Sequence, residues 1–111
     1  MVIASRALKL QQGGKESEIA IRVFAPRKAK DAWSCQYEID WPEGTQRTES
    51  WGIDSVQSLL VALQMIGSDI YTSSYHKSGN LMFEGLRRGY GFPVPKSLED
   101  RLEGDDALYS A

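Results

Sequence analysis

The sequence predicts an α+β fold: a four-stranded antiparallel β-meander with one long α-helix packed on one face, followed by a Gly-rich C-terminal segment. Three features indicate this class. The first half of the chain contains runs in which apolar and polar residues alternate, and the middle contains a segment of helical periodicity. Four glycines then follow within residues 79–91. The length of 111 residues suits one domain.

The first two predicted strands cover residues 2–11 and 17–27. Apolar side chains occupy every second position from Ile19 in the second of them, which is typical of a half-buried strand. Gly13 and Gly14 lie between the two runs and supply the positive φ that a tight hairpin turn needs. The two runs therefore predict a β-hairpin.

The clearest strand is "WSCQYEIDW", residues 33–41, in which one face is apolar and the other polar. The apolar face contains Trp33, Cys35, Tyr37, Ile39 and Trp41. A fourth strand near residues 46–51 completes the predicted meander. If the loop between them is residues 43–44, Asp40 lies opposite Arg47, which is a favourable cross-strand pair.

The segment "GIDSVQSLLVALQMIGSDIYTS" predicts the helix. Asp54 can accept from backbone N–H groups of the first turn, and Gln57, three residues later, completes a capping box. Projection at 100° per residue places seven residues in one sector, which is the predicted core-facing stripe. These are Val56, Leu59, Leu60, Leu63, Ile66, Ile70 and Tyr71.

The opposite side of this helix lacks charge, because residues 55–68 contain no Lys, Arg, Asp or Glu. Protein interfaces are depleted in charge at their centre, so this side is a candidate interface. Ser58 also falls on this side. The candidate interface residues are Gln57, Val61, Gln64, Met65 and Ser68. Two alternatives stay open: the C-terminal segment of the same chain covers this side, or a partner chain does.

The C-terminal region is rich in glycine and apolar residues. Gly79, Gly85, Gly89 and Gly91 break regular structure and let the backbone fold closely over another element. We expect a single α+β domain over residues 1–103 and a frayed acidic tail over residues 104–111.

Composition excludes several classes of function. The formal net charge of −2 disfavours nucleic acid and anionic membranes as partners, because a basic surface supplies most of that affinity. Cys35 is the only cysteine, which rules out an intrachain disulfide and indicates a reducing, cytoplasmic setting. No apolar run approaches the roughly 18 residues of a membrane span, and no secretory signal is expected in the first ten residues.

Few residues suit catalysis or metal binding. Cys35 and His76 are the only pair of a thiol and an imidazole, but Cys35 lies on the predicted core face, which favours a buried structural thiol. Glu38 and Glu49 could form a carboxylate pair for acid–base work, but they lie on the solvated sheet face, where exposed charges are the expected interpretation. No metal-ligand spacing is present, so neither a metal site nor a cofactor is expected.

A ligand pocket is the alternative hypothesis. It would lie between the C-terminus of the helix and residues 85–95, where aromatic and basic side chains occur close together in sequence. Its candidate residues are Tyr71, Tyr75, His76, Arg88 and Tyr90. Arginine beside aromatic rings can bind a carboxylate or stack on a base. The competing interpretation is that the arginines solvate a turn while the aromatics fill the core.

Three segments, "WSCQYEI", "GIDSVQSLLVALQMIG" and "GYGFPVP", together resemble a family of small bacterial proteins classed as a domain of unknown function. The likeness covers about residues 33–95 and is most specific in the helix and the last segment. It implies a compact bacterial domain. It implies no activity, so no functional residue is transferred.

The sequence therefore favours a non-enzymatic interaction module over an enzyme. The expected partner is a second copy of the chain or another protein. A small-molecule-binding or enzymatic domain is the alternative.

Overall fold

An antiparallel β-sheet and one long helix form most of the computed structural model, which describes residues 1–83 and 89–103. The strands are β1 (Val2–Gln12), β2 (Lys15–Phe24), β3 (Arg27–Lys28), β4 (Trp33–Trp41), β5 (Gly44–Gly52) and β6 (Leu81–Met82). The helices are α1 (Ser55–Tyr71), α2 (Ser74–Lys77) and a 3₁₀ helix, Lys96–Arg101. The prediction of an α+β fold with an antiparallel sheet and one main helix is confirmed.

Among the described residues the sheet contains six strands, so the predicted number of four was wrong, although the four predicted strands are neighbours in the predicted order. Hydrogen bonding gives the order β3-β4-β2-β1-β6, and β5 pairs with β4. The two strands that were not predicted, β3 and β6, are only two residues long. A strand of two residues is too short to show an alternating pattern in the sequence. Its pairing is determined by the longer strand beside it. For β6 that longer strand is β1, at Lys9 and Leu10.

Contacts divide the chain into two compact units. Unit 1 contains Met1–Ala7 and Ile19–Leu63. Unit 2 contains Leu8–Glu18 and the described residues from Gln64 onward. Strands β1 and β2 and helix α1 each contribute residues to both units.

The core of unit 1 is built on the pairing of β2 with β4. Ile21 lies opposite Ile39 and Val23 opposite Tyr37, and all four side chains are buried. Cys35 is buried on the same face of β4, so the predicted alternation holds from Cys35 to Ile39. Ser34, on the predicted polar face, is also buried, and Trp33 and Trp41 are half-buried. Removing each aliphatic side chain from water stabilises the fold by about 1.5 to 3 kcal/mol.

The β4–β5 hairpin turns at Pro42 and the residue after it, one position earlier than predicted. Arg47 lies opposite Glu38, and Thr45 lies opposite Asp40. The predicted pairing of Asp40 with Arg47 was therefore wrong. The proline ring suits the first position of a turn, because φ is already fixed near −65° there.

Helix α1 begins with the predicted cap. The Asp54 carboxylate accepts from the Gln57 N–H at 2.8 Å. The Gln57 side-chain oxygen accepts from the Ile53 N–H at 2.7 Å. The first bond satisfies a backbone donor that the helix leaves without an intrahelical partner, which sets where the helix begins. The second holds the residue before the cap.

In unit 1, the buried face of helix α1 differs from the predicted face. Ser58, placed on the far side, and Ala62 are fully buried, whereas Val56 and Leu60, predicted in the core, are exposed. The cause is a close approach between α1 and the end of β5, where a Cβ on Gly52 would lie 2.5 Å from the Ser58 backbone nitrogen. Small residues face this contact because larger ones would hold the two backbones apart.

Unit 2 contains the second part of α1. Here the predicted core residues Ile66, Ile70 and Tyr71 are buried. Gly67 lies directly against Pro93, because a Cβ on this glycine would overlap the Pro93 carbonyl oxygen. The chain around Pro93 contributes three further buried side chains, Tyr90, Phe92 and Val94.

The glycine turns are described in part. Gly13 and Gly14 have φ of +60° and +77°, as the predicted hairpin requires. Gly89 and Gly91 also have positive φ. The remainder of the predicted Gly-rich segment, residues 84–88, and the predicted tail, residues 104–111, lie outside the described residues.

Candidate functional site

Three aliphatic side chains at the start of α1 are exposed in unit 1. Ile53 is 82% exposed, Val56 71% and Leu60 49%. Val56 and Leu60 are one helical turn apart and are therefore neighbours on the helix surface. Ile53 precedes Val56 by three residues. We call these three residues the apolar patch.

Backbone hydrogen bonds hold the apolar patch in place. The bond from the Ile53 N–H to Gln57 anchors the chain just before the helix, and the helix itself fixes Val56 and Leu60. The side chains stay in water although their backbone is ordered. Such a preformed apolar surface loses little conformational entropy when it binds a partner.

Four of the five predicted interface residues are half-buried. In unit 1, Gln57 is exposed and Val61 is half-buried. In unit 2, Gln64, Met65 and Ser68 are half-buried. The patch itself was missed, because its two helical members fall in the most hydrophobic sector of the helix. The signal that could have revealed it is the pair Gly52 and Ser58, whose small size indicates a close backbone contact.

A second cluster, in unit 2, surrounds His76. The His76 Nε2 atom lies 2.9 Å from a carboxylate oxygen of Glu103. The His76 Nδ1 atom lies 2.5 Å from the Tyr90 hydroxyl. Tyr71 packs edge-on against both rings, with centroid distances of 4.8 Å to His76 and 5.2 Å to Tyr90. Three of the predicted pocket residues thus lie together.

The position of His76 follows from the local sequence. Ser73 caps α2, and its hydroxyl accepts from the His76 N–H at 3.1 Å. Tyr75, the residue before it, is half-buried. Arg88, the remaining predicted pocket residue, lies outside the described residues. Glu103 was not predicted, because no sequence pattern links it to a histidine 27 positions earlier.

A carboxylate, an imidazole and a phenol in series can pass a proton. If Glu103 accepts from Nε2–H of neutral His76, then Nδ1 accepts from the Tyr90 hydroxyl. In the protonated ring Nδ1 donates instead, and the Tyr90 hydroxyl can donate to the Leu81 carbonyl at 3.4 Å. Tyr90 is buried, and the Tyr71 hydroxyl accepts from the Glu103 N–H at 3.3 Å. Contacts with His76 and Tyr71 therefore hold Glu103 in place within unit 2.

Cys35 is a poor nucleophile in this structure. Its side chain is fully buried, and the thiol donates to the Phe24 carbonyl at 3.3 Å. Burial raises the pKa of the Cys35 thiol, which disfavours the reactive thiolate.

Charged side chains form a network on the outer face of the sheet. Arg22 binds Asp40 through two hydrogen bonds of 2.7 and 2.8 Å and binds Glu38 at 2.9 Å. Glu38 also accepts from Arg47 at 2.8 Å. Hydrogen bonds from Arg22 hold the pKa of Asp40 at about 2 and lower the pKa of Glu38. Neither carboxyl is therefore suited to act as a general acid near neutral pH.

Neither a metal-binding group of side chains nor a membrane-spanning helix occurs in the part of the chain that the structure describes. In residues 1–83 and 89–103, no three His, Cys, Asp or Glu side chains are grouped so that they could hold a metal ion. Over the same ranges, no helix has the length and apolarity needed to cross a membrane.

Comparison with known proteins identifies a family. A family model described as Domain of unknown function (DUF6968) matches residues 4–94. No curated protein and no solved structure matches the chain. The family match covers most of the chain, which therefore belongs to this family, and the predicted resemblance to a domain of unknown function is confirmed.

Proposed function

We propose that this member of the DUF6968 family is a non-enzymatic protein-interaction module. The observation that supports the proposal is the apolar patch, Ile53, Val56 and Leu60, at the start of α1. The proposed partner is another protein or a second copy of the chain. The proposed setting is the bacterial cytoplasm, with which the single reduced Cys35 is consistent.

The physical argument concerns water and charge. Transfer of a Val, Leu or Ile side chain out of water yields about 1.5 to 3 kcal/mol, so a partner that covers the apolar patch gains free energy from each member. Residues 55–68 contain no charged side chain that would have to be desolvated. The patch thus has the composition of an interface centre.

In unit 1, the proposed surface extends from the apolar patch to Gln57. Gln57 lies beside Val56 in sequence and is exposed, as the rim of an interface would be. The residues predicted from the sequence remain part of the proposal. They are Gln57, Val61, Gln64, Met65 and Ser68.

A Val56→Glu substitution tests the proposal. The side chain is exposed, so the fold should tolerate glutamate, while a charge in the patch should prevent an apolar partner from binding. Ala29→Glu is the matched control, because it adds the same charge at an exposed loop position. Each variant is used to capture proteins from the native host, and its mass is measured by light scattering.

The expected result is a protein that wild type and Ala29→Glu retain and Val56→Glu loses. Circular dichroism spectra and melting temperatures that agree among the three proteins establish that folding is unchanged. An identical set of captured proteins and an identical mass for all three would contradict the proposal.

The second candidate is a small-molecule-binding or enzymatic domain, favoured by the Glu103–His76–Tyr90 series. Its pocket would lie between the end of α1 and residues 85–95. Thermal-shift measurements with anionic metabolites test it. A compound that stabilises wild type but not Tyr90→Phe supports this candidate, and a screen with no stabilising compound counts against it. Nucleic acid is not proposed as a partner, given the net charge of −2.

A further inference from the structure

Among the described strands, β5 forms an edge of the sheet. It is nine residues long, and β4 is its one hydrogen-bonded neighbour among the described strands. An edge strand presents unpaired N–H and C=O groups, which can pair with another strand. The direction of these groups follows from the hairpin register.

Trp41 and Gly44 flank the two-residue turn and so exchange backbone hydrogen bonds. In an antiparallel pair, hydrogen-bonded and non-hydrogen-bonded residue pairs alternate. The backbone groups of Gly44 and of every second residue after it therefore point to β4. Those of the intervening residues point to the open edge. The intervening residues are Thr45, Arg47, Glu49 and Trp51.

The side chains of Arg47 and Glu49 lie on the outer face of the sheet. Arg47 binds Glu38 through its Nε atom, and its side chain is 74% exposed. Glu49 accepts from Gln36 at 3.2 Å in an exposed position. An opposite pair of charges therefore flanks Thr48 on the same face of the edge strand.

We propose that two copies of the chain associate through antiparallel pairing of their β5 strands, with the two-fold axis at Thr48. In this register, Arg47 of each copy lies opposite Glu49 of the other, so two ion pairs form. Thr45 lies opposite Trp51 in the same way. Every backbone group that points to the open edge meets a group of the other copy that also points to the edge.

Charge distinguishes this register from its neighbours. An axis at Arg47 would place two arginines opposite each other, and an axis at Glu49 would place two carboxylates opposite each other. Like charges in directly opposed positions destabilise a strand pair. An axis at Gln46 or Ser50 would leave the charges without an opposite partner across the interface. Only the Thr48 register joins each charge to its opposite.

This interface is distinct from the apolar patch, and the two can be tested separately. Two single substitutions, Arg47→Glu and Glu49→Arg, each turn both cross-copy pairs into like-charge pairs. A mixture of the two variants restores opposite charges in both pairs, because one copy then carries two acids and the other two arginines. Sedimentation over a concentration series measures the dissociation constant of each sample.

The expected result is dimerisation of wild type, with a dissociation constant that increases in high salt. Each single variant should raise this constant at least about tenfold, and the mixture should form a heterodimer. Circular dichroism spectra establish that each variant is folded. Val56→Glu should dimerise like wild type. The β5 proposal can therefore hold even if the apolar patch proves not to be an interface.

Amide hydrogen exchange gives a second measurement on the wild-type protein. The Arg47 and Glu49 amides should become protected as protein concentration increases, whereas the Thr48 amide, which bonds to β4, should be protected at all concentrations. A monomeric wild type, single variants that dimerise as tightly as wild type, or a mixture that stays monomeric would each overturn the proposal.

Discussion

The Ser50 hydroxyl donates a hydrogen bond of 2.6 Å to the Ser58 carbonyl and so connects the end of β5 to α1. The same hydroxyl lies 3.1 Å from the Cys35 carbonyl. Ser50 and Ser58 are both buried. The position of Gly52 beside Ser58 has no space for a larger side chain. This contact determines which face of helix α1 is buried in unit 1.

Ser50→Ala should therefore destabilise the protein by about 1 to 2 kcal/mol, because it removes a buried hydroxyl that contacts two carbonyl oxygens. Urea unfolding followed by circular dichroism measures the change. Ser17→Ala, at an exposed position of β2, is the control and should change the free energy of unfolding by less than about 0.5 kcal/mol. Equal effects of the two substitutions would contradict this role.

Gly67→Ala should destabilise the protein although alanine favours helices. In an exposed helix the change from glycine gains about 1 kcal/mol. Here the added methyl group overlaps the Pro93 carbonyl, so we expect a loss of about 2 kcal/mol or more. Ser68→Ala, at the next residue of α1, is the control and should be neutral or stabilising. Thermal melts of both variants provide the comparison, and a stabilised Gly67→Ala would show that this contact is absent.

Asp40→Asn should make stability less sensitive to acid. The folded pKa of Asp40 is about 2, below its ordinary value of 3.8, because Arg22 binds the carboxylate. A lowered folded pKa adds stability above pH 3.8, and this contribution is lost as the pH falls toward 2. The melting temperature of the variant should therefore fall less steeply than that of wild type over this interval. Arg22→Gln should flatten the same interval, and parallel curves for all three proteins would contradict the argument.

Cys35 should react slowly with thiol reagents in the native protein. Its thiol is fully buried, bonded to the Phe24 carbonyl and raised in pKa by burial. Reaction requires the structure to open, so the native rate should be about a hundredfold below the rate in denaturant. With a thiol reagent that releases a chromophore on reaction, the absorbance measures both rates. Similar rates would mean that the β2–β4 core opens readily.

The sequence predicts the features that depend on local chemistry. The alternation of β4 identifies Cys35, Tyr37 and Ile39 as buried, because the side-chain period of a strand is two. Asp54 marks the start of α1, because few other residues could cap it there. The paired glycines at 13 and 14 identify the first hairpin.

Features that depend on distant contacts are not visible in the local pattern. The hairpin register depends on whether Pro42 or the next residue begins the turn, and a change of one position moves Arg47 from Asp40 to Glu38. The buried face of α1 depends on how closely β5 approaches, so hydrophobicity alone misplaced Val56 and Leu60. The His76 cluster requires Glu103, which only the folded chain brings near.

Trp51 lies on the edge strand with its indole half exposed, whereas Trp33 and Trp41 on β4 are shielded to a greater degree. Fluorescence of an indole shifts to shorter wavelength when water leaves its surroundings. A protein in which Trp33 and Trp41 are replaced by phenylalanine would therefore emit from β5 alone. Its emission wavelength would report, without any added label, whether the β5 edge faces solvent or another strand.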